Sequence, residues 1–252
     1  MSQQNAHTDG RPRSVTLRVF RYSSEGGAGP RFDTYKLETS PGMTVLSALF
    51  QVRREQDSSL AFRFSCRGAV CGACAMTING RCSLACRTQI ASLASPEVVV
   101  EPLPNLTVIR DLVVDMGPFW EKYRRVQPWL HEAIEGKDNA RDHKQSPADM
   151  ARVDAYANCV LCACCYGACG VLRRQPDYLG PAAMAKLARF REDTRDHRPV
   201  VALIELDGES EGLWGCHMLH RCSNACPKDV GPDTGVAVLR RRLTRYRLGR
   251  KP

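Results

Sequence analysis

Cysteine is the residue type in this sequence best suited to carry chemistry, with 13 in 252 residues. The first group has the spacing C-x4-C-x2-C…C and comprises Cys66, Cys71, Cys74 and Cys86. This spacing is typical of a loop that binds a [2Fe–2S] cluster through four thiolates. Gly68 and Gly72 would let the backbone curl, so that amide N–H groups point at sulfur. The group therefore predicts a [2Fe–2S] site.

A fifth cysteine near this loop is an alternative ligand. Asn79-Gly80 predicts a two-residue hairpin turn that returns the chain toward the loop, and Cys82 comes just after that turn. We favour Cys86 as the fourth ligand because its distance from Cys74 suits a loop followed by a hairpin. Cys82 is then interpreted as a small buried hydrophobic residue.

A second group has the run C-x2-C-x2-C-x3-C, formed by Cys159, Cys162, Cys165 and Cys169. In two-cluster ferredoxins the fourth cysteine of such a run ligates the other cluster. Cys164 is an additional cysteine that breaks this register, and we interpret it as a non-ligand.

A third group repeats the second with a shift of 57 positions, except that Leu219 stands where a cysteine would match Cys162. Exchange of the fourth cysteines gives two ligand sets. A [4Fe–4S] set comprises Cys159, Cys162, Cys165 and Cys226. A set of only three comprises Cys169, Cys216 and Cys222, and it predicts a [3Fe–4S] cluster because an iron without a protein ligand is easily lost. His217 and His220 flank the gap, but neither occupies the missing position.

Composition limits the alternatives. The chain is 43% hydrophobic and 25% charged, as expected for a globular protein with a real core, and 252 residues favour two domains. No apolar run is long enough to span a bilayer, and residues 1–14 lack the apolar region of a secretory signal. Thiols stay reduced in the cytosol, so metal binding is the better interpretation of the cysteines than disulfides.

Two other uses of the cysteines and the charge are disfavoured. Structural zinc favours isolated C-x2-C pairs, which the doubled run fits poorly. The net charge of +9 could serve a nucleic acid, but the aromatic residues, 7% of the chain, are not clustered with arginine. A nucleic-acid-binding module built on zinc or a cluster therefore remains only a remote alternative, and we expect no nucleic-acid partner.

The elements around the first group predict a small α+β unit over residues 14–112. Residues 15–20 and 32–38 alternate like strands, with a glycine-rich loop over 24–30 between them. A helix is expected over 44–52 with Thr44 as N-cap, and a further strand over 98–100. The predicted fold class is thus α+β: a ferredoxin-like (β-grasp) [2Fe–2S] domain, followed by an all-α domain with two cubane-type clusters.

The remaining chain divides into a tail, a connection and a helical domain. Residues 1–13 are expected to be a disordered or extended tail, and 113–146 a connecting segment that packs across both domains. Over 147–252 we expect helices, including 181–190 with a buried stripe of Ala183, Met184, Leu187 and Phe190. The last helix, over 232–247, carries several arginines that suit a solvated face, a lipid surface or a partner.

These motifs together resemble the iron–sulfur subunit of succinate dehydrogenase and quinol:fumarate reductase, the respiratory complex II family. The resemblance covers nearly the whole chain. Besides the cysteine groups it rests on five segments: 78–80 (Ile-Asn-Gly), 108–115, 177–181 (Asp-Tyr-Leu-Gly-Pro), 193–196 (Asp-Thr-Arg-Asp) and 226–228 (Cys-Pro-Lys).

The resemblance implies an electron relay. A flavoprotein partner with FAD would interconvert succinate and fumarate, and electrons would pass along [2Fe–2S], [4Fe–4S] and [3Fe–4S] to a quinone beside membrane-anchor subunits, which can also hold haem. The subunit would lie peripherally on the cytoplasmic face of the cell membrane. It would carry no dicarboxylate chemistry, and the sequence offers no catalytic residues for it. Succinate oxidation and fumarate reduction both remain open.

The resemblance also suggests two quinone contacts. His217 matches a position where succinate dehydrogenases often carry a quinone-site histidine. Arg174 stands where many of them have a tryptophan, and Gly170 where the family usually has proline. An arginine can still donate hydrogen bonds to a quinone carbonyl.

Overall fold

The computed structural model describes residues 14–24, 29–131, 144–206 and 211–249. The expected tail over 1–13, residues 25–28 of the predicted loop and residues 132–143 of the connecting segment lie outside these ranges.

The first half begins with an antiparallel pair and a helix. β1 (Ser14–Arg21) pairs with β2 (Arg31–Glu38) over their full lengths, and Val15, Leu17 and Val19 point to the buried face of β1. α1 (Val45–Glu55) has Thr44 as its N-cap, and the Thr44 and Ser47 side chains bond each other's backbone amides in a capping box. These elements confirm the two strands, the helix and the cap that the sequence predicts.

A hairpin and a crossover complete the sheet. β3 (Ala75–Ile78) and β4 (Arg81–Leu84) are joined by Asn79 and Gly80, with φ angles of 47° and 75° as the predicted turn requires. β5 (Glu97–Glu101) is parallel to β1 and antiparallel to β3, which gives the order β2-β1-β5-β3-β4. β6 (Val108–Arg110) and β7 (Val113–Val114) form a separate small ribbon.

A helix after the ribbon connects the two halves. α2 (Gly117–Arg125) buries Phe119, whose ring lies 5.6 Å from that of Tyr166 in the second half. Lys122 Nζ donates to Tyr166 Oη at 3.1 Å. The described part of the connecting segment therefore packs against the helical half as well as the sheet half.

The second half is helical in its described residues. Its helices are α3 (Pro147–Ala157), α4 (Cys164–Gly167), α5 (Pro181–Arg191), α6 (Arg221–Asn224) and α7 (Pro232–Arg247). Short 3-10 helices lie at Val200–Leu206 and Leu213–Gly215 in this half, and another lies at Ile90–Ser92 in the sheet half. None of the described helices is long and apolar enough to cross a membrane.

α5 and α7 pack closely and form the core of this half. Along the predicted stripe Ala183, Met184 and Leu187 are buried, whereas Phe190 at the end of α5 is only half-buried. Gly235 allows the close approach, because a Cβ there would lie 3.1 Å from Ala188 Cβ. Buried apolar residues of the sheet and of α4 belong to one continuous cluster, so the halves share part of their core.

A buried arginine holds the sheet half together at a point that the sequence did not suggest. Arg21 is 5% exposed and ends β1. Its guanidinium donates to Asp111 Oδ1 at 3.0 Å, Tyr35 Oη at 2.7 Å and Ser59 Oγ at 2.8 Å, and it also pairs with Asp57. Asp111 accepts the Ala61 amide at 2.8 Å, so the cluster joins β1, β2, the turn after α1 and the β6–β7 ribbon.

Removing this arginine is expected to destabilise the sheet half strongly. Arg21→Met leaves Asp111, which is 3% exposed, without its charge partner, and breaking a buried pair in this way costs about 3–5 kcal/mol. Arg31→Ala is the matched control, because its pair with Asp33 is exposed and such pairs contribute about 0–1 kcal/mol. Urea unfolding followed by secondary structure measures both, and equal midpoints for the two variants would contradict the assignment.

Candidate iron–sulfur sites

The loop between α1 and β3 brings the first cysteine group together. The amide of Cys86 donates to Cys74 Sγ at 3.5 Å, and that of Ala69 to Cys86 Sγ at 3.3 Å. The hairpin makes this possible, because the Ala85 amide, just after β4, bonds the Cys74 carbonyl at 3.0 Å. The fourth predicted ligand thus lies beside the first three.

Backbone amides surround the exposed sulfur of this loop. Cys66 Sγ accepts the amides of Gly68, Val70 and Cys71 at 3.3 to 3.4 Å. The hydrogen bonds from Cys71, Gly68 and Val70 lower the pKa of the Cys66 thiol to about 6. A thiolate, the form that binds iron, is therefore favoured here at neutral pH.

The residues that curl this loop differ in part from the prediction. Gly72 has the expected left-handed φ of +74°. Gly68 does not; the left-handed residues beside it are Arg67 (φ 56°) and Ala69 (φ 58°). Left-handed residues on either side of Gly68 turn its own amide onto Cys66 Sγ, so here the non-glycine neighbours carry the strain.

A cavity in the helical half is lined by Cys159, Cys162, Cys165 and Cys226. These are the four residues that exchange of the fourth cysteines predicts for [4Fe–4S]. Its other walls include Ala182, Ala185 and Val230. The Val230 amide donates to Cys226 Sγ at 3.4 Å, again a hydrogen bond to sulfur.

A second cavity is lined by Cys169, Cys216 and Cys222. These are the three residues predicted for [3Fe–4S], and Leu219 lines the same cavity while its side chain is 54% exposed. His217 and His220 also lie at its wall. His220 is held by Asp233, with Nδ1 2.5 Å from Oδ2.

The two cavities are built from a repeated backbone motif. Leu161 and Ala163 have left-handed φ angles of 55° and 63°, and 57 positions later Met218 and His220 have 51° and 58°. The short helices α4 and α6 repeat with the same shift. The internal repeat read from the cysteines is therefore also a repeat of conformation.

Burial makes Cys165 and Cys222 poor thiolates without a compensating cation. Burial and the nearby Asp233 and Cys216 together raise the pKa of Cys222 to about 12. The pKa of Cys165 is raised by burial and by the sulfurs around it, including Cys162 and Cys159. Iron bound at these positions would supply the missing positive charge, so the donor sets fit iron–sulfur clusters.

Zinc and cubane-type clusters need different ligand geometries. A structural zinc ion needs four ligands about 2.0–2.3 Å from one point. Within the described ranges, no group of three or more His, Cys, Asp or Glu side chains is placed to hold a single ion. In a cubane-type cluster each thiolate binds a different iron, which suits sulfurs spread around a cavity.

The two cysteines set aside as non-ligands lie at the contact between the halves. Cys82 is 5% exposed on β4, and its sulfur would be 3.2 Å from a Cβ at Gly167. Cys164 is fully buried at the start of α4. Neither lines the two cysteine cavities.

The first two cysteine groups touch at one glycine. A Cβ at Gly72 would lie 2.8 Å from Cys162 Cβ, 2.9 Å from Cys162 Cα and 3.0 Å from the Val160 carbonyl oxygen. Real Cβ atoms essentially never lie closer than 3.0 Å to a heavy atom outside their own chain neighbours, so only glycine fits at this position. The [2Fe–2S] loop therefore packs directly on a predicted [4Fe–4S] ligand.

The two predicted quinone contacts are placed differently. His217 is exposed at the wall of the three-cysteine cavity. Arg174 is exposed on the turn after Val171 and is not among the residues that line this cavity.

Three arginines position the third cysteine group, a role that no sequence pattern indicates. Arg240 of α7 donates to the Cys216 carbonyl at 2.6 Å and to the Leu213 carbonyl at 2.7 Å, although its helix predicted only a solvated or partner-binding face. Arg81 and Arg87 reach from the hairpin region to the carbonyls of Asn224 and Pro227. Each bond ends on a backbone carbonyl far away in sequence, which no residue pattern reveals.

Comparisons with known proteins agree with both halves. Residues 16–121 match the family model of a 2Fe-2S iron-sulfur cluster binding domain, and residues 155–230 that of a 4Fe-4S dicluster domain. The chain is 35% identical over 233 residues to the fumarate reductase iron-sulfur subunit of Wolinella succinogenes, covering 92% of this chain and 98% of the relative.

The chain belongs to the iron–sulfur subunits of succinate dehydrogenase and fumarate reductase.

Two further likenesses extend across the same length. The mitochondrial succinate dehydrogenase [ubiquinone] iron-sulfur subunit 1 of rice is 38% identical over 229 residues, or 90% of this chain and 81% of the relative. A chain of the Mycobacterium smegmatis Sdh1 complex in the apo form superposes with a TM-score of 0.84 at 24% identity, covering 94% and 98% of the two chains. At that identity the likeness shows the fold alone, and together with the two family models it fits a two-domain ferredoxin-like arrangement.

The Gly72 contact gives a direct test of how the halves of this subunit dock. Gly72→Ala and Gly42→Ala both place alanine at a φ of +74°, which costs about 1–2 kcal/mol, but only Gly72 has neighbours within 4 Å. We expect Gly72→Ala to lose about 1–3 kcal/mol more through overpacking against Cys162. Thermal unfolding and retained iron measure the difference, and identical losses would show that the contact is not tight.

Proposed function

We propose that this subunit relays electrons between a flavoprotein carrying FAD and a membrane quinone. The flavoprotein would interconvert succinate and fumarate, and membrane-anchor subunits would hold the chain on the cytoplasmic face of the membrane. The names of the relatives, a fumarate reductase subunit in one organism and a succinate dehydrogenase subunit in another, support this reaction class. The described cysteines offer candidate cluster ligands, and we expect the dicarboxylate chemistry to lie on the flavoprotein rather than on this chain.

The proposed cofactors are one [2Fe–2S], one [4Fe–4S] and one [3Fe–4S] cluster, which supply one-electron carriers when bound. The observation that carries the proposal is the series formed by the three cysteine sets. Gly72, in the loop of the first set, packs against Cys162 of the second set. The second and third sets line adjacent cavities built from one repeated motif. Cys226 lies with the cysteines of the second group, and Cys169 lies with those of the third group. This order suits a relay rather than three separate sites.

The domain boundaries belong to the same proposal. We assign residues 14–112 to a β-grasp [2Fe–2S] domain, 113–146 to a connection and 147–252 to the helical two-cluster domain. The sheet order with β1 and β5 parallel supports this division, as do the described residues after 147, which form helices and no strands.

The quinone end is proposed at the three-cysteine cavity. His217 and Leu219 are exposed there, and His217 can offer a hydrogen bond to a quinone carbonyl. Arg174 lies on a neighbouring exposed turn outside the cavity wall, so its contact with a quinone would require the quinone to extend toward that turn. Of the two, the geometry favours His217.

The relay is tested by purifying the chain with its partners from membranes. We expect a flavoprotein and membrane-anchor subunits to copurify, with three EPR-active clusters, and activity in succinate:quinone or quinol:fumarate assays. The relative rates in the two assays decide the physiological direction, succinate oxidation or fumarate reduction. Zinc in place of iron, or a preparation without a flavoprotein, would contradict the proposal.

Leu219 is expected to decide the type of the last cluster. Leu219→Cys restores the fourth ligand of the repeated motif, so the [3Fe–4S] EPR signal of the oxidised protein should disappear and a reduced [4Fe–4S] signal should replace it. Leu219→Ala is the matched control, since it removes the side chain without adding a thiolate and should keep the three-iron signal. A three-iron signal that persists in Leu219→Cys would remove Leu219 from the cluster corner.

A further inference from the structure

Three arginines lie at and just after the end of α5, and two of them use the same edge of the guanidinium group to bind a carboxylate. Arg195 donates from Nε and Nη2 to the two oxygens of Asp193 at 2.8 and 2.9 Å. Arg198 does the same to Asp196, at 3.0 and 2.8 Å. This fork is the preferred geometry between arginine and an oxyanion.

The third arginine offers the same edge to no acceptor. Arg191 is 4% exposed, and its Nη1 donates to the Arg198 carbonyl at 2.8 Å. Its Nε and Nη2 are buried and have no hydrogen-bond partner among the described residues. Unpaired buried donors of a charged group cost free energy, so a hydrogen-bond acceptor at Nε and Nη2 would stabilise Arg191.

Arg191 lines a small cavity of about 70 Å³. Leu187, Leu203 and Val126 form apolar walls, and Arg198 and Arg125 add positive charge. One water needs roughly 10–15 Å³ of such space, so the cavity is large enough for an anion of a few heavy atoms. It lies in a different place from the two cysteine cavities and shares no lining residue with them.

The charges around the cavity do not balance. Arg191 and Arg198 both approach the carboxylate of Asp196, with Arg191 Nη1 3.6 Å from it. Arg242 adds a further guanidinium, which bonds the Arg191 carbonyl and pairs with Glu192. Burial and repulsion from Arg242 together lower the pKa of Arg191 to about 10. Among these described groups, the three guanidiniums of Arg191, Arg198 and Arg242 face only two carboxylates, those of Asp196 and Glu192.

We propose that this cavity binds one small oxyanion, a carboxylate or an anion of phosphate size, whose two oxygens bridge Nε and Nη2 of Arg191. The anion would complete the third fork of the series and neutralise the excess charge. The proposal stands on the arginine geometry and not on the clusters, so it is independent of the relay.

The test uses the intact complex that contains this chain, freed of buffer anions. Equilibrium dialysis with radiolabelled phosphate, and separately with labelled acetate, measures binding at constant chloride, and the two arms show which oxyanion the site prefers. We expect one saturable site per chain that is at least about tenfold weaker in Arg191→Lys, because lysine keeps the charge but cannot form the fork. Arg195→Lys is the matched control, since Arg195 does not line the cavity, and it should leave the affinity unchanged.

A second variant keeps the test decisive if Arg191→Lys does not fold. Ala202 lines the cavity, and Ala202→Leu fills it while Arg191 stays in place, so it should also abolish the site. The proposal fails if neither labelled anion shows a saturable site in the wild-type complex. It also fails if Arg191→Lys or Ala202→Leu binds as tightly as wild type, which would place the anion elsewhere.

Discussion

Buried sulfur that must carry negative charge is the constraint on which the rest of this structure depends. Cys165 and Cys222 lie where burial and neighbouring groups raise the thiol pKa, so a thiolate at either position needs a bound cation to balance its charge. Where the sulfur is exposed, as at Cys66, backbone amides stabilise the thiolate. Formation of the buried thiolates and binding of iron are therefore coupled.

The same backbone motif occurs twice, once around each of the two cysteine cavities. In each copy two left-handed residues precede a short helix, and the chain then supplies its fourth cysteine to the other copy. This exchange ties Cys169 and Cys226 across the two motifs, so neither cavity is complete without the other. Leu219 breaks the symmetry, because it faces outward at the corner where Cys162 stands in the first copy.

Features encoded by near neighbours in sequence could be predicted. The Thr44 cap, the Asn79-Gly80 turn and the span of α7 depend on residues within a few positions. The assignment of the cysteine sets to clusters stays a prediction from spacing. The left-handed conformation of Arg67 and Ala69 beside Gly68 could not be predicted, since arginine and alanine rarely adopt it. Arg21 pairs with Asp111 across 90 positions and Arg240 bonds a carbonyl 24 positions away, and no local pattern marks such partners.

The two ends of the cysteine series are the exposed ones, and this sets how electrons can enter and leave. Cys66 and Cys71 are exposed beside Val70 at one end, and Leu219 and His217 are exposed at the other. Plant-type [2Fe–2S] centres have reduction potentials of about −400 mV, which is too low to accept electrons readily from succinate. Hydrogen bonds to sulfur raise such potentials, and three amides already point at Cys66 Sγ. The loop that exposes Cys66 would therefore also raise the reduction potential of the bound [2Fe–2S] cluster, toward that of the dicarboxylate couple.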